Sequence, residues 1–189
     1  METQAHGTLI GVLGVGVLLL GRSGIGKSEC ALELVGRGHA LVADDAVRLV
    51  RRQGTGGADA IWGHAPEVVR HYMEIRGIGL LFVPDLYGPR AVADEARVDL
   101  ICRLEEWREG AQVERIGLER PSESLLGVPL PALRLQTRPA GSMATLVEVA
   151  ARDHLARQRG ASAARQLDDG LLRRRAARAD PTDVARERR

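Results

Sequence analysis

Gly21-Arg22-Ser23-Gly24-Ile25-Gly26-Lys27-Ser28 is a complete phosphate-binding loop, and its lysine is the only one in a chain of 189 residues that otherwise draws its positive charge from 26 arginines. A general drift toward Arg does not explain one retained ammonium, but a physical constraint does. Lys carries a compact charge on a thin stem that threads a tight loop to the β- and γ-phosphates, where the broad guanidinium fork does not fit. The loop follows Val15-Gly16-Val17-Leu18-Leu19-Leu20, an apolar run of strand length. It precedes Ser28-Glu29-Cys30-Ala31-Leu32-Glu33-Leu34-Val35, whose apolar positions fall at helical spacing. Strand, loop and helix in that order let backbone amides converge on the phosphates while the helix N-terminus adds its partial positive charge. The pattern predicts an α/β fold built on a P-loop. Gly21 to Lys27 surround the phosphates of ATP, and the Ser28 hydroxyl is a ligand for Mg²⁺.

Working outward, residues 7–12 and 15–20 read as two strands joined at Leu13-Gly14, and the helix from Ser28 ends near Gly36-Arg37-Gly38, where glycine supplies a cap. Residues 40–43 form a new strand. If it runs parallel to the strand before the loop, the crossover delivers Asp44 and Asp45 to the sheet edge where phosphates bind. Residues 51–59 read as a flexible Gly-rich loop, 66–75 as helical, 80–83 and 98–104 as buried strands, and 105–110 as a polar exit. Pro129, Pro131 and Pro139 break the region 121–140. A helix resumes from Met143 to about Arg159, and a second spans 161–178 around Gly170.

One catalytic-size domain fits this length, expected over residues 1–155, with an Arg-rich, partly disordered helical extension over 156–189. Residues 1–150 hold 16 basic and 19 acidic side chains against 11 and 6 in the remainder, so the net charge of +2 comes from the C-terminal end. Asp and Glu interleaved there read as a solvated face rather than a nucleic-acid contact. Aromatic residues make up 3 %, too few for base-stacking platforms, so no nucleic-acid partner is expected. The apolar run 8–20 lacks a basic leader and is too short to span a bilayer, and Cys30 and Cys102 stand far apart. A reduced, cytoplasmic protein without a membrane partner is the expectation.

Asp44-Asp45 can be a polar pair that merely ends a strand. Beside a phosphate loop, one carboxylate is also placed to hold Mg²⁺ through water and its neighbour to take the proton of an attacking hydroxyl. Glu74-Ile75-Arg76-Gly77-Ile78-Gly79 combines a carboxylate, a guanidinium and two glycines suited to close backbone approach; a helix cap with an exposed ion pair explains it equally well. His6, Arg115 and Arg138 read from spacing alone as surface charges.

Gly21 to Ser28, followed by Ala31-Leu32-Glu33-Leu34, Arg37-Gly38-His39 and Leu41-Val42-Ala43-Asp44-Asp45, resembles the HPr kinase/phosphorylase family, and Glu74 to Gly79 resembles that family's second signature. Val98-Asp99-Leu100, Leu104-Glu105-Glu106-Trp107, Arg115-Ile116-Gly117-Leu118 and Val147-Glu148-Val149-Ala150-Ala151 extend the similarity over roughly residues 6–155. The resemblance implies a bifunctional, typically homohexameric enzyme that phosphorylates a serine of the phosphocarrier HPr with ATP and Mg²⁺ and reverses this by phosphorolysis. It implies a catalytic His6, Lys27 as loop lysine, Ser28 and Glu74 as metal contacts, Asp45 as base in one direction and acid in the other, and Arg115 as catalytic arginine. Asp44 is left on the metal side. Residues 136–141 align with a stretch associated with dephosphorylation, where the family's Gly-Arg-Asn is replaced by Ala140-Gly141-Ser142. The family's usual additional N-terminal domain does not precede His6, so the chain is expected to be a catalytic fragment or a short natural form. Rival readings are a small-molecule kinase on the same scaffold and an ATP-sensing module that transfers nothing.

Overall fold

The structure is a computed structural model that describes residues 1–53, 57–107, 120–137, 141–163, 166–168 and 171. Its centre is the hairpin of β1 (Glu2–Val12) and β2 (Val15–Leu20), closed by a two-residue turn with Leu13 at φ 55° and Gly14 at φ 83°. Positive φ at both positions matches the right-handed twist of the flanking strands. The phosphate loop leaves β2 and enters α1 (Lys27–Gly36), whose end is fixed by Gly38 at φ 91°, with the Gly38 and His39 amides donating to Val35 O and Leu34 O.

β3 (Ala40–Ala43) pairs antiparallel with Leu9–Gly11 of β1, and β4 (Ala46–Gln53) pairs antiparallel with Glu2–His6 of the same strand. They follow one another along β1, with a register shift in the β3 pairing between Leu9 and Ile10 and a break between the two strands at Asp44-Asp45. Because β1 is antiparallel to both β2 and β3, those two run in the same direction, so the Asp pair does emerge on the loop edge as the crossover argument requires. β5 (Asp59–His64) and β8 (Glu95–Arg97) extend the sheet beyond β4. On the other side, β9 (Leu100–Glu106) is parallel to β2, and β11 (Val128–Thr137) is parallel to β9 and antiparallel to β10 (Ser122–Leu125). Together these make a nine-stranded sheet of mixed direction among the described residues, with β6 (Tyr72–Ile75) and β7 (Gly79–Phe82) as a separate hairpin.

Side-chain alternation splits the core in two. Ile10, Val17, Leu19, Leu100 and Cys102 face Leu34 of α1 and Val147 and Ala151 of α3 (Met143–Gln158). Leu9, Leu18 and Ile101 face the opposite way, against Val47 and Leu49 of β4, Ile61 of β5 and Val98, which follows β8.

Several sequence expectations give way. The first strand starts at Glu2, so His6 lies within a strand, opposite Ala46. Of the loop expected over 51–59, residues 51–53 and 59 are strand and 57–58 are not, with 54–56 outside the described residues. Residues 66–75 hold only a 3-10 turn at Glu67–Val69 before β6, where exposed Tyr72 and Glu74 alternate with buried Met73 and Ile75; that period of two outweighs the helical spacing of the charges. Leu80 lies in a strand but is exposed, and Val83 opens the short α2 (Val83–Tyr87). Glu105 and Glu106 belong to β9 rather than to an exit. Pro129 and Pro131 do not break the region, which is strand over 122–125 and 128–137, and Pro139 lies outside the described residues. Around the two-residue turn Leu126-Gly127, Leu125 and Val128 form the hydrogen-bonded pair, which leaves Pro129 and Pro131 opposite Ser124 and Ser122 at positions where β10 needs no N–H. Pairing with β9 begins only at Ala132. The expected second helix over 161–178 lies largely outside the described residues.

Candidate active site

β2, β3 and β9 all end on one edge of the sheet, and the phosphate loop lies there. Gly26, at φ 97°, is the hinge that starts α1 without a side-chain cap, leaving the first amides of the helix available to an anion. Gly24 is at φ 75°, and a methyl group on it would meet Arg76 Nη1 and Nη2 at 3.5 Å, which puts that guanidinium over the loop. Arg22 ion-pairs with Glu106 at the end of β9, anchoring the other flank.

Lys27 is buried, and its ammonium donates to Gly21 O at 3.0 Å and Arg22 O at 3.1 Å, both carbonyls of its own loop. Burial lowers its pKa, opposed by the charges of Asp44 and Asp45. A third contact runs from Lys27 Nζ to His6 Nε2 at 3.3 Å. Ammonium can only donate, so Nε2 is the lone-pair nitrogen and the imidazole proton sits on Nδ1. That atom lies 2.9 Å from Asp45 Oδ1 and 3.2 Å from Asp45 O. Lys27, His6 and Asp45 thus form one hydrogen-bonded chain from the phosphate loop to an exposed carboxylate.

The backbone shape at the interruption between β3 and β4 explains why Asp45 points outward while Asp44 points inward. Ala46 N–H donates to Asp44 O at 2.7 Å, closing a three-residue γ-turn with Asp45 at φ 63° in its centre. Asp tolerates the left-handed region better than most residues. Asp44 is buried. Its Oδ1 accepts the Ser28 hydroxyl at 3.0 Å and the Thr8 hydroxyl at 2.6 Å, while Oδ2 has no partner. Burial pushes its pKa up; the Thr8 and Ser28 hydroxyls oppose that, helped by the Asp45 and Glu74 amides.

The fold therefore brings His6, Lys27, Ser28, Asp44 and Asp45 together, and the Glu74 amide is among the groups that oppose the rise of the Asp44 pKa. Arg115 lies outside the described residues, as do Arg138 and Ala140 of the expected dephosphorylation stretch. Sequence reasoning gave no role to Thr8 or Glu106 and none to Arg76 individually. Thr8 is hidden inside an apolar run, and its only signal is a hydroxyl where neighbouring residues are apolar. Among the described residues no group of three His, Cys, Asp or Glu side chains converges on one point. Mg²⁺ does not need one, since it keeps waters and takes substrate phosphate oxygens beside one or two protein ligands. A hydroxyl aligned on a carboxylate with a bare second oxygen suits that ion.

The sequence profile of the HPr Serine kinase C-terminal domain matches residues 1–171. This chain belongs to that family. Among proteins similar to this family member, the HPr kinase/phosphorylase of Caldanaerobacter subterraneus subsp. tengcongensis is 50 % identical over 172 residues, covering 91 % of this chain and 55 % of the relative. That of Geobacter sulfurreducens is 42 % identical over 172 residues, covering 91 % and 53 %. The chain thus spans about half the length of the curated relatives it matches. The solved HPr(Ser) kinase/phosphatase from Coxiella burnetii superposes with a TM-score of 0.73 at 31 % identity, over 84 % of this chain and 93 % of that one. These matches agree with the P-loop α/β fold expected from the loop and its flanks.

Proposed function

We propose that this chain carries the catalytic unit of an ATP-dependent protein-serine kinase acting on HPr, able also to return the phosphoryl group to orthophosphate. The observation that carries the reading is the hydrogen-bonded line Lys27–His6–Asp45, which ends in an exposed carboxylate beside the phosphate loop. Phosphoryl transfer asks the protein mainly for positioning and charge stabilisation. Loop amides and Lys27 hold the phosphates once Lys27 exchanges its contacts to Gly21 O and Arg22 O for phosphate oxygens. Asp45 takes the proton of the attacking seryl hydroxyl, and His6 fixes its orientation by donating from Nδ1. In the reverse direction protonated Asp45 returns that proton to the seryl oxygen as orthophosphate takes the phosphoryl group and leaves as pyrophosphate. Ser28, Asp44 and Glu74 are the residues that would hold Mg²⁺, which would supply neutralisation of the phosphate charge. Arg115 is assigned as catalytic arginine on the resemblance alone.

The relatives' names support HPr as acceptor, the resemblance supports a homohexamer, and two free, buried cysteines support a reduced, cytoplasmic setting. No helix among the described residues is long and apolar enough to cross a membrane. We keep residues 1–155 as the catalytic unit and 156–189 as an appended segment. The test is incubation with γ-labelled ATP, Mg²⁺ and HPr, with the phosphate located by mass spectrometry, then addition of orthophosphate and assay of pyrophosphate. Label on one HPr serine is expected. Label only on a hydroxylated metabolite makes this a small-molecule kinase, and binding without transfer makes it a sensor.

A further inference from the structure

Thr8 is fully buried in β1, immediately before Leu9 and Ile10, which feed opposite halves of the core. A buried hydroxyl needs a partner, and Thr8 finds it in a carboxylate on another strand. Its Oγ1 donates to Asp44 Oδ1 at 2.6 Å, within the range of a charge-assisted O–H···O⁻ bond. The Ser28 hydroxyl donates to the same oxygen at 3.0 Å, so two donors from two elements converge on Oδ1 while the buried Oδ2 accepts nothing. The competing attraction is Lys27, which is also buried and whose pKa the Asp44 charge holds up against the effect of burial. Pairing of the Asp44 carboxylate with that ammonium would tie up the phosphate anchor and the metal-side carboxylate together.

We infer that Thr8 is a positioning residue, which pins Asp44 on Ser28 and off Lys27 and so keeps the Ser28 oxygen and Asp44 Oδ2 available to a divalent cation. This rests on the nucleotide and metal reading given above but not on the acceptor. Thr8→Val removes the hydroxyl at nearly constant shape, and Thr8→Ser keeps the donor.

The probe is Mn²⁺, its affinity for the complex of the full chain with a non-hydrolysable ATP analogue read by electron paramagnetic resonance. Analogue binding in EDTA and a urea midpoint are measured alongside. Loss of a group that orients a metal ligand commonly weakens metal binding 10- to 100-fold. Thr8→Val is expected to weaken Mn²⁺ binding by about tenfold, to leave metal-free analogue binding within about twofold, and to be rescued by Thr8→Ser. Parent-like Mn²⁺ affinity in Thr8→Val overturns the proposal. So does a Thr8→Ser as weak as Thr8→Val, or an equal loss of metal-free analogue binding, which marks a merely structural role. Should Thr8→Val not fold, Thr8→Ala set against Thr8→Ser carries the same comparison. If HPr is never labelled while the Mn²⁺ effect holds, the acceptor assignment fails and the role of Thr8 stands.

Discussion

Asp45 combines a left-handed backbone, an exposed carboxylate and one histidine partner, so the turn at its own position aims it and little packing depends on it. Asp45→Asn keeps the shape and tolerates the same φ. It is expected to leave ATP affinity and the unfolding midpoint unchanged while seryl transfer falls by at least about a hundredfold, the contribution of a general base, as measured in single-turnover labelling. Lys27→Arg is expected to weaken nucleotide binding by on the order of tenfold in a titration, because a guanidinium cannot follow the thin stem to the same oxygens. Lys27 was legible from composition and motif together. The γ-turn that separates the two aspartates was not, since Asp-Asp reads alike whether both carboxylates point one way or opposite ways. Thr8 was equally silent, because its partner stands 36 residues along the chain.

Among the elements, β2 is the one that tolerates least. A methyl group on Gly16 would sit 1.7 Å from Arg97 O, a backbone atom already tied in place where Asp99 N–H donates to Gly16 O and Asp99 Oδ2 receives Gly16 N–H. Gly16→Ala is therefore expected to destabilise by about 3 kcal/mol or more, read as a collapsed urea midpoint or loss of soluble protein. The apolar run of β2 and the cap of α1 could be read from sequence because their signals are local. β6, β10 and β11 could not: their identity depends on a cross-strand partner that supplies the alternation or excuses the proline. For the same reason only the strand–loop–helix part of the site was firm before the structure.

For the molecule as a whole, acid sensitivity centres on two buried histidines. His154 on α3 accepts from Gln158 Nε2 at 2.9 Å, and burial lowers its pKa, with Arg120 adding to the effect. His39, after α1, is lowered by burial as well, its Nε2 without a partner. A base whose folded pKa lies below its unfolded value contributes stability at pH above the unfolded value, near 6.5, and that stability is lost as pH falls below it. The urea midpoint is expected to drop between about pH 7.5 and about pH 5.5, and to drop less in His154→Gln, which removes one of the two groups.

The interruption at Asp44-Asp45 also limits how this protein can vary in length. β3 and β4 lean on the same strand, so one residue inserted between them slips β4 along β1, turning Val47 and Leu49 to solvent and Arg48 into the core. Spacing at the reaction centre is thus enforced by a sheet half that takes no part in the reaction. In a library of single-residue insertions selected only for soluble protein, with no demand for turnover, positions 44–46 should come back empty.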